Sequence, residues 1–249
     1  MYVTALWRYP VKSMQGEPCG ELVLAAGGAA GDRKYGVLDV GSGTIVSAKR
    51  DGRLLQGSAR LFDGTVLVTV PGHDEIPPGP TLDERLSEWL RRPVRLVAVG
   101  EYGRGTFECP EDFEDDGSQV VQWSGLDSSF VDESELLLIG SGDLAKLAAE
   151  RPELQWDMRR FRPNVLVEAE AGTFGAVAAS RAALVGEVAL ELQYGCTRCV
   201  MTTREQPGGI ERQLDVFRHL LRAHDNILGV RARTTAAGIV RTGDVVTLG

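Results

Sequence analysis

The sequence lacks the features that mark secreted and membrane-spanning proteins. Four cysteines in 249 residues are too few for the disulfide framework of a small secreted domain. No stretch has the roughly 18 apolar residues that a membrane-spanning helix needs. Residues 1–8 also lack the basic region and apolar run of a signal peptide. We therefore expect a cytoplasmic protein with reduced thiols that does not associate with a membrane.

Positive charge is also in the minority. The chain has 27 Lys and Arg against 35 Asp and Glu, which gives a net charge of -8. This balance argues against a general nucleic-acid-binding surface, so no nucleic-acid partner is expected. An anionic ligand would need a few well-placed basic residues, and the position of each Arg or Lys is therefore more informative than their total.

Apolar periodicity predicts an α+β protein whose N-terminal half is rich in short strands. Residues 60–62 and 65–70 flank the pair Asp63-Gly64, a strong signal for a two-residue β-hairpin. One helix interrupts the strands at about residues 81–92. Thr81 and Glu84 have the S/T-x-x-E spacing of a capping box at its start.

The second half mixes helices and strands, which predicts an α+β or helix-decorated barrel domain. An acidic stretch at residues 108–118 without periodicity is interpreted as a loop or boundary, and we divide the chain into domains 1–100 and 101–249. The predicted elements beyond the boundary are strands at 136–139, 165–167 and 187–194 and helices at 143–150 and 210–224.

Two of the four cysteines, Cys196 and Cys199, lie three positions apart where a predicted strand ends. A thioredoxin-like pair needs a helix behind the first thiol, and the β-branched and apolar residues that follow disfavour one. Structural zinc needs further ligands, and His219 and His224 would lie about 140° apart around a helix. A soft metal ligand or nucleophile and a pair of buried structural cysteines both remain open.

Basic residues concentrate in three segments that each adjoin a predicted strand. Lys12-Ser13 offers a charge and a hydroxyl to a phosphate. Arg33 follows Asp32 directly, and residues 159–162 contain three arginines, a residue type suited to bidentate phosphate contacts. Taken singly, each segment is explained equally well by a solvated turn or by ion pairs with the surplus carboxylates.

Taken together, these segments resemble the MOSC superfamily in their order and spacing. The resemblance is to proteins with an N-terminal MOSC β-barrel domain, the group that contains the mitochondrial amidoxime-reducing component and bacterial relatives that reduce N-hydroxylated compounds. It implies a β-rich N-terminal domain followed by a MOSC β-barrel decorated with helices. The matching motifs are Tyr9-Pro10-Val11-Lys12-Ser13, Asp32-Arg33, Phe161-Arg162-Pro163-Asn164, Cys196-Thr197-Arg198-Cys199 and Thr202-Thr203.

The resemblance also implies a cofactor and its site. In those proteins a pyranopterin dithiolene (molybdopterin) holds molybdenum, and the second cysteine of the C-x-R-C segment supplies a protein thiolate. That position is Cys199 here, with Cys196 in a supporting role. The implied phosphate-binding and pterin-binding residues are Lys12, Ser13, Arg33, Ser134, Arg162, Asn164, Thr197 and Arg198.

The activity implied is a two-electron reduction of an N-hydroxylated or N-oxide-type small molecule. Electrons would come from a separate flavin, haem or iron-sulfur protein, because the sequence contains no such site of its own. Two alternatives remain. One is a sulfur carrier or sulfurtransferase with a persulfide on Cys199, and the other is a molybdenum-cofactor-binding protein without turnover.

Overall fold

The computed structural model describes residues 1–102, 105–111, 118–124, 126, 128–174 and 181–249. The chain forms two compact units that interleave in sequence. Unit 1 consists of Met1–Arg8, Pro18–Ala30 and Ser134–Gly249, and unit 2 consists of Tyr9–Glu17 and Gly31–Glu133. This division differs from the two consecutive segments, 1–100 and 101–249, into which the sequence analysis divides the chain.

The architecture is mixed α+β, as predicted. The described strands are β1 (Tyr2–Arg8), β2 (Glu17–Cys19), β3 (Glu21–Ala25), β4 (Gly28–Ala29), β5 (Tyr35–Asp39), β6 (Ser58–Phe62), β7 (Thr65–Thr69), β8 (Glu75–Ile76), β9 (Val94–Ala98), β10 (Thr106–Pro110), β11 (Val120–Ser124), β12 (Leu136–Gly140), β13 (Val165–Glu168), β14 (Arg181–Val185), β15 (Val188–Thr197), β16 (Ile227–Ala236), β17 (Gly238–Arg241) and β18 (Val246–Leu248). The described α-helices are α1 (Pro80–Leu90), α2 (Val99–Tyr102), α3 (Ser141–Glu150) and α4 (Leu214–Ala223), and short 3₁₀ helices occupy Gly52–Gln56, Met158–Arg160 and Val200–Thr203.

Unit 1 is built on an eight-stranded sheet in the order β18-β14-β15-β16-β12-β13-β1-β2. Only the pairing of β12 with β13 is parallel among the registers that the described residues define. Backbone bonds also join β1 to the start of β18, with Val246 N donating to Met1 O at 2.9 Å. In the described part of the chain this junction is an isolated bridge between Tyr2 and Val245, whereas a closed barrel needs a full ladder there.

Apolar clusters cover both faces of this sheet, since the adjacent residues Leu138 and Ile139 of β12 belong to different clusters. The largest apolar cluster takes buried side chains from most of the strands, including Leu6, Leu138, Val165 and Leu190. A second cluster packs α3 and α4 against the sheet through Leu147, Val216, Leu220 and Ile139. Along β15, the burial of Val188, Leu190 and Leu192 fixes the register, because a slip by one residue would turn these side chains away from the core.

Unit 2 contains smaller sheets. The β6-β7-β8 sheet includes the predicted hairpin, in which Asp63 and Gly64 have φ values of 47° and 75°, as a two-residue turn with positive φ at both positions requires. The β5-β9 pair is antiparallel. Of the predicted acidic loop at 108–118, Glu108 to Pro110 belong to β10, which pairs with β11, and residues 112–117 lie outside the described residues.

Two predicted helix starts are wrong. The capping box does not form, since Gly79 is the N-cap of α1, Pro80 occupies the first turn and no side chain caps the helix. Proline suits that position because its fixed φ is already helical. The predicted helix 210–224 begins only at Leu214, because the turn through Gly208 and Gly209 folds Ile210 back into a bridge with Gln206.

The predicted faces of two elements also change. Alternation along residues 187–194 predicts one shared face for Val188, Leu190, Leu192 and Tyr194. The first three are buried, but Tyr194 is 44% exposed because the register shifts between Leu192 and Tyr194. Helical spacing predicts an apolar stripe of Ile210, Leu214, Phe217 and Leu221. In α4, Val216, Phe217 and Leu220 are buried, whereas Leu221 is 51% exposed.

Gly229 in the middle of β16 provides a test of this sheet. Its φ is 79°, and a Cβ atom there would lie 2.5 Å from Leu138 O, whereas Gly243 has a φ of 93° with nothing within 4 Å. We expect Gly229→Ala to lower the free energy of unfolding by about 2 kcal/mol or more beyond the loss for Gly243→Ala, which carries only the dihedral strain. Urea denaturation measures both, and equal losses would contradict the close approach of β12 and β16.

Candidate functional site

A parallel backbone bridge in unit 2 brings two of the predicted basic segments together. Val11 bridges Tyr35, Lys12 N donates to Tyr35 O at 2.8 Å, and Tyr35 N donates to Pro10 O at 3.1 Å. Residue 33 is joined to the same segment, since Arg33 N donates to Tyr9 O at 2.7 Å. The bridge therefore makes neighbours of Lys12, Ser13 and Arg33, which are some 20 residues apart in the sequence.

The Lys12 ammonium is buried among acceptors. Its Nζ donates to Phe130 O and to Asp132 Oδ1, both at 2.8 Å, and lies 3.7 Å from the centre of the Phe107 ring. Burial lowers the pKa of Lys12 to about 8, partly offset by Asp132, while Lys49 and Arg33 lower it further. Lys12 is thus a cation whose charge is costly in the fold and would be stabilised by an additional anion.

Lys49 and Asp132 complete this cluster, and the sequence analysis missed both. Lys49 Nζ lies 3.2 Å from Asp132 Oδ2, on the opposite carboxylate oxygen from Lys12. Burial raises the pKa of Asp132, but the charges and hydrogen bonds of the two lysines outweigh that effect and hold the pKa well below its ordinary value. No sequence signal reveals the group, because its members lie in separate segments up to 120 residues apart.

Arg33 is held in place from both sides. Its guanidinium bonds the Asp32 carboxylate at 2.5 Å and lies 4.4 Å from the centre of the Tyr9 ring. Asp32 is itself buried and accepts from Tyr9 N at 2.8 Å through its other oxygen. Asp32 therefore orients Arg33 and fixes the backbone that leads to Lys12.

The unit 2 cluster gathers three cations although the chain is acidic. Lys12 and Lys49 contact Asp132, and Arg33 contacts Asp32. The whole chain carries -8. Three cations close together in such a protein fit an anionic ligand such as a phosphate.

Three predicted cofactor-binding residues share an unusual backbone conformation. Seven described residues other than glycine have positive φ, and they include Ser13 at 68°, Arg33 at 46° and Arg162 at 55°. A side chain in this left-handed region costs roughly 1 kcal/mol or more, and such strain is concentrated at binding sites. Ser13 Oγ accepts from Ala48 N at 3.0 Å. This bond anchors the hydroxyl oxygen and does not use the hydrogen of the hydroxyl group.

The cysteine pair lies at the end of β15 in unit 1. Cys196 is inside the strand and buried, whereas Cys199 follows the strand, is partly exposed, and is the N-cap of the 3₁₀ helix Val200–Thr203. Both thiols are free. The carbonyl of Cys199 accepts from Thr202 N at 3.1 Å and from Thr202 Oγ1 at 3.0 Å. Cys199 is therefore the thiol that a ligand can reach, and its backbone is fixed.

The surroundings of the pair bear on two of its interpretations. A 3₁₀ helix of four residues follows the thiols, so the longer α-helix of a thioredoxin-like site is absent there. Within the described residues, no group of three or more metal-ligating side chains includes a cysteine.

Three other predicted residues of unit 1 make structural bonds. Arg198 is buried and donates to Phe161 O at 3.0 Å and to Leu228 O at 2.5 Å. Asn164 accepts from Leu137 N and donates to Trp7 O, both at 3.3 Å. Ser134 Oγ lies 2.9 Å from both Gln193 Oε1 and Ala232 O. These bonds give all three side chains a positioning role.

The other predicted residues of unit 1 are Thr197 and Arg162, and Arg159 belongs to the same basic segment as Arg162. Thr197 is exposed at the end of β15, where it pairs with Ile227. Arg162 is buried and follows the 3₁₀ helix Met158–Arg160. Its backbone N–H donates to Met158 O at 3.1 Å. Arg159 pairs with Asp157 at 2.7 Å, as the ion-pair alternative anticipates.

Arg160 is the positioning residue that sequence reasoning missed. It is 1% exposed, and its guanidinium donates to the carbonyls of Gln155, Thr202, Arg204 and Glu211 at 2.7 to 3.3 Å. Burial lowers its pKa to about 10. The arginine thereby ties the 3₁₀ helix Met158–Arg160 to the segment that follows Cys199. The predicted site residues accordingly form two groups, Lys12, Ser13 and Arg33 in unit 2 and the rest in unit 1.

Comparison with known proteins identifies the family. Residues 1–86 match the MOSC N-terminal beta barrel domain, and residues 125–247 match the MOSC domain. The chain belongs to the MOSC superfamily, in the group whose members carry both domains. The sequence is similar to mitochondrial amidoxime reducing component 2 of Bos taurus, with 24% identity over 242 residues that cover 84% of this chain and 68% of the relative.

One solved structure shows the same fold. The YUAD protein from Bacillus subtilis has a TM-score of 0.51 and 11% identity, with 99% of this chain and 94% of that chain covered. YiiM from Geobacillus stearothermophilus has a TM-score of 0.36 and 12% identity over 58% of this chain and 72% of its own. Among the residues that the structure describes, no helix is both long enough and apolar enough to cross a membrane.

Lys12 gives rise to a testable pH dependence of stability. Its pKa falls from 10.5 to about 8 on folding, so the unfolded chain binds more protons than the folded one between these values. The free energy of unfolding therefore rises with pH in this window, by up to about 1.4 kcal/mol for each pH unit. We expect urea denaturation to show this rise in the wild type and its loss in Lys12→Met.

The matched control is Lys34→Met, which removes a lysine of the same unit whose Nζ donates to Ser128 O at the surface. This variant keeps the rise. An equal pH dependence in wild type and Lys12→Met would contradict the burial of a charged Lys12.

Proposed function

We propose that this chain binds a molybdenum-pyranopterin cofactor through Cys199 and reduces N-hydroxylated or N-oxide-type small molecules with electrons from a separate donor protein. The observation that supports the proposal most is the position of Cys199, a partly exposed thiol with a fixed backbone beside a buried partner. A thiolate is the soft ligand that a polarizable metal centre retains. The bovine relative is named an amidoxime reducing component, which agrees with this class of substrate.

The donor set of the chain fits the cofactor. A phosphate carries roughly -1.5 to -2 at neutral pH, and Lys12, Lys49 and Arg33 bring three cations into one cluster of an acidic chain. Ser13 adds a hydroxyl that is anchored by Ala48 N. In unit 1 we assign Arg162 to the cofactor, because it is the arginine of the Phe161-Arg162-Pro163-Asn164 segment that resembles the family's motif.

Each part of the chain has a defined task in this proposal. The cofactor, when bound, supplies the two-electron chemistry that removes oxygen from the substrate. Cys199 is the protein ligand, and Thr202 and Arg160 hold the segment that carries it. Reduction of an amidoxime to an amidine consumes two electrons and two protons and releases water, so a donor protein has to deliver one electron pair for each turnover.

A matched pair of cysteine variants tests the ligand. Wild type, Cys199→Ala and Cys196→Ala are produced in a host that makes the molybdenum cofactor, and metal content and amidoxime reduction with reduced viologen are measured. We expect near-stoichiometric molybdenum and turnover in the wild type and in Cys196→Ala. Cys199→Ala should lose turnover by about 100-fold or more, because it removes a ligand of the reacting metal.

Two outcomes would contradict the proposal in different ways. Full molybdenum and full turnover in Cys199→Ala would refute the ligand assignment. Stoichiometric molybdenum in a wild type that reduces neither an amidoxime nor an N-oxide would instead identify a cofactor-binding protein without turnover. Sulfane sulfur on Cys199 in a protein without molybdenum would favour the sulfur-transfer alternative.

A further inference from the structure

Three metal-ligating side chains meet at the ends of α3 and α4, in unit 1. The Nε2 atoms of His219 and His224 lie 2.9 Å and 2.6 Å from the same oxygen of Glu150, Oε2. The two imidazole rings are 5.3 Å apart between centroids. Among the described residues this is the one group of three or more such side chains whose ligand atoms all lie within 4.8 Å of one another.

The end of α4 explains why the two histidines meet. On one continuous helix, His219 and His224 would lie about 140° apart. Helix α4 ends at Ala223, and His224 has φ -136° and ψ 27°, which is not a helical conformation. The side chain therefore turns back toward His219, and Glu150, the last residue of α3, lies between the two rings.

The ligand set is that of a transition-metal site. Two imidazole nitrogens and one carboxylate oxygen form the three-ligand sets of many protein Zn²⁺ sites, in which water takes the fourth position. Tetrahedral Zn²⁺ with bonds of 2.0 to 2.1 Å needs neighbouring ligand atoms about 3.4 Å apart. The atoms at Glu150 lie at 2.6 and 2.9 Å, so a small outward movement of two partly exposed side chains accommodates the ion.

The surroundings leave the ion accessible yet hold the ligands. His219 is 14% and His224 is 19% exposed, and the His219 ring packs edge-on against Trp156 with 5.7 Å between centroids. Lys146 Nζ lies 3.8 Å from the other oxygen of Glu150, Oε1, and leaves Oε2 to face the histidines. A cavity of about 270 Å³ lies beside the cluster and is lined in part by Lys146 and His224.

We propose that Glu150, His219 and His224 form a binding site for a divalent transition-metal ion, with Zn²⁺ as the expected occupant. The site joins the last residue of α3 to the end of α4. It shares no residue with the proposed molybdenum site, and Zn²⁺ binding there does not require Cys199.

Zinc titration of the full chain tests this proposal. The protein is stripped with a chelator, dialysed, kept reduced and titrated with ZnCl₂ in a calorimeter. We expect one site in the wild type that persists in Cys199→Ala. The variants His219→Ala, His224→Ala and Glu150→Gln should each weaken Zn²⁺ binding at this site by at least about tenfold. Far-UV circular dichroism verifies that each variant is folded.

His73→Ala is the matched control, since His73 is exposed in unit 2 and the chain has only 3 histidines. It should bind Zn²⁺ like the wild type. Zinc affinity that is unchanged in the double variant His219→Ala/His224→Ala, or lost in Cys199→Ala, would overturn the proposal.

A spectroscopic readout identifies the ligands without reference to affinity. Co²⁺ bound at a site of two imidazoles and a carboxylate lacks the thiolate charge-transfer absorption of a cysteine site. Because Trp156 lies beside His219, Co²⁺ should quench tryptophan fluorescence, and the quenching should shrink in Trp156→Phe. Strong thiolate absorption on addition of one equivalent of Co²⁺, or no quenching, would contradict the assignment.

Discussion

The buried guanidinium of Arg160 is the interaction on which the thiol segment depends. The guanidinium donates hydrogen bonds to four backbone carbonyls in place of water, those of Gln155, Thr202, Arg204 and Glu211. A buried cation without such acceptors would be strongly destabilising, and hydrogen bonds to a charged group contribute more than neutral ones. The arginine and the loop that follows the cysteines therefore hold each other in place. An exposed loop with this sequence would have no comparable reason to adopt one conformation.

In unit 2, carboxylates stabilise the buried cations. Asp132 lies between Lys12 and Lys49, and Asp32 binds both Arg33 and the backbone of Tyr9. Asp132 fixes two lysines that would otherwise repel one another, and Asp32 fixes Arg33. The carboxylates thereby offset the electrostatic cost of placing three cations close together inside the fold.

Much of the fold follows from local sequence patterns, but the exceptions arise from tertiary structure. The Asp63-Gly64 hairpin and the strand 136–139 were predictable because turn chemistry and apolar runs act over a few residues. The bulge that exposes Tyr194 depends on the pairing of β15 with β16, and the late start of α4 depends on the bridge between Gln206 and Ile210. For the site, motifs identified Cys199 and Lys12, whereas the roles of Arg160, Lys49 and Asp132 arise from contacts between distant segments that no local pattern encodes.

The family assignment rests on both domains. Of Cys196 and Cys199, Cys199 is the partly exposed residue, and it is the one to which we assign the metal. The central claim is that this thiol binds molybdenum. X-ray absorption at the molybdenum edge counts the sulfur atoms bound to the metal, so it tests the bond itself. We predict one sulfur neighbour fewer in Cys199→Ser than in the wild type and in Cys196→Ser. An unchanged sulfur count in Cys199→Ser would contradict the claim.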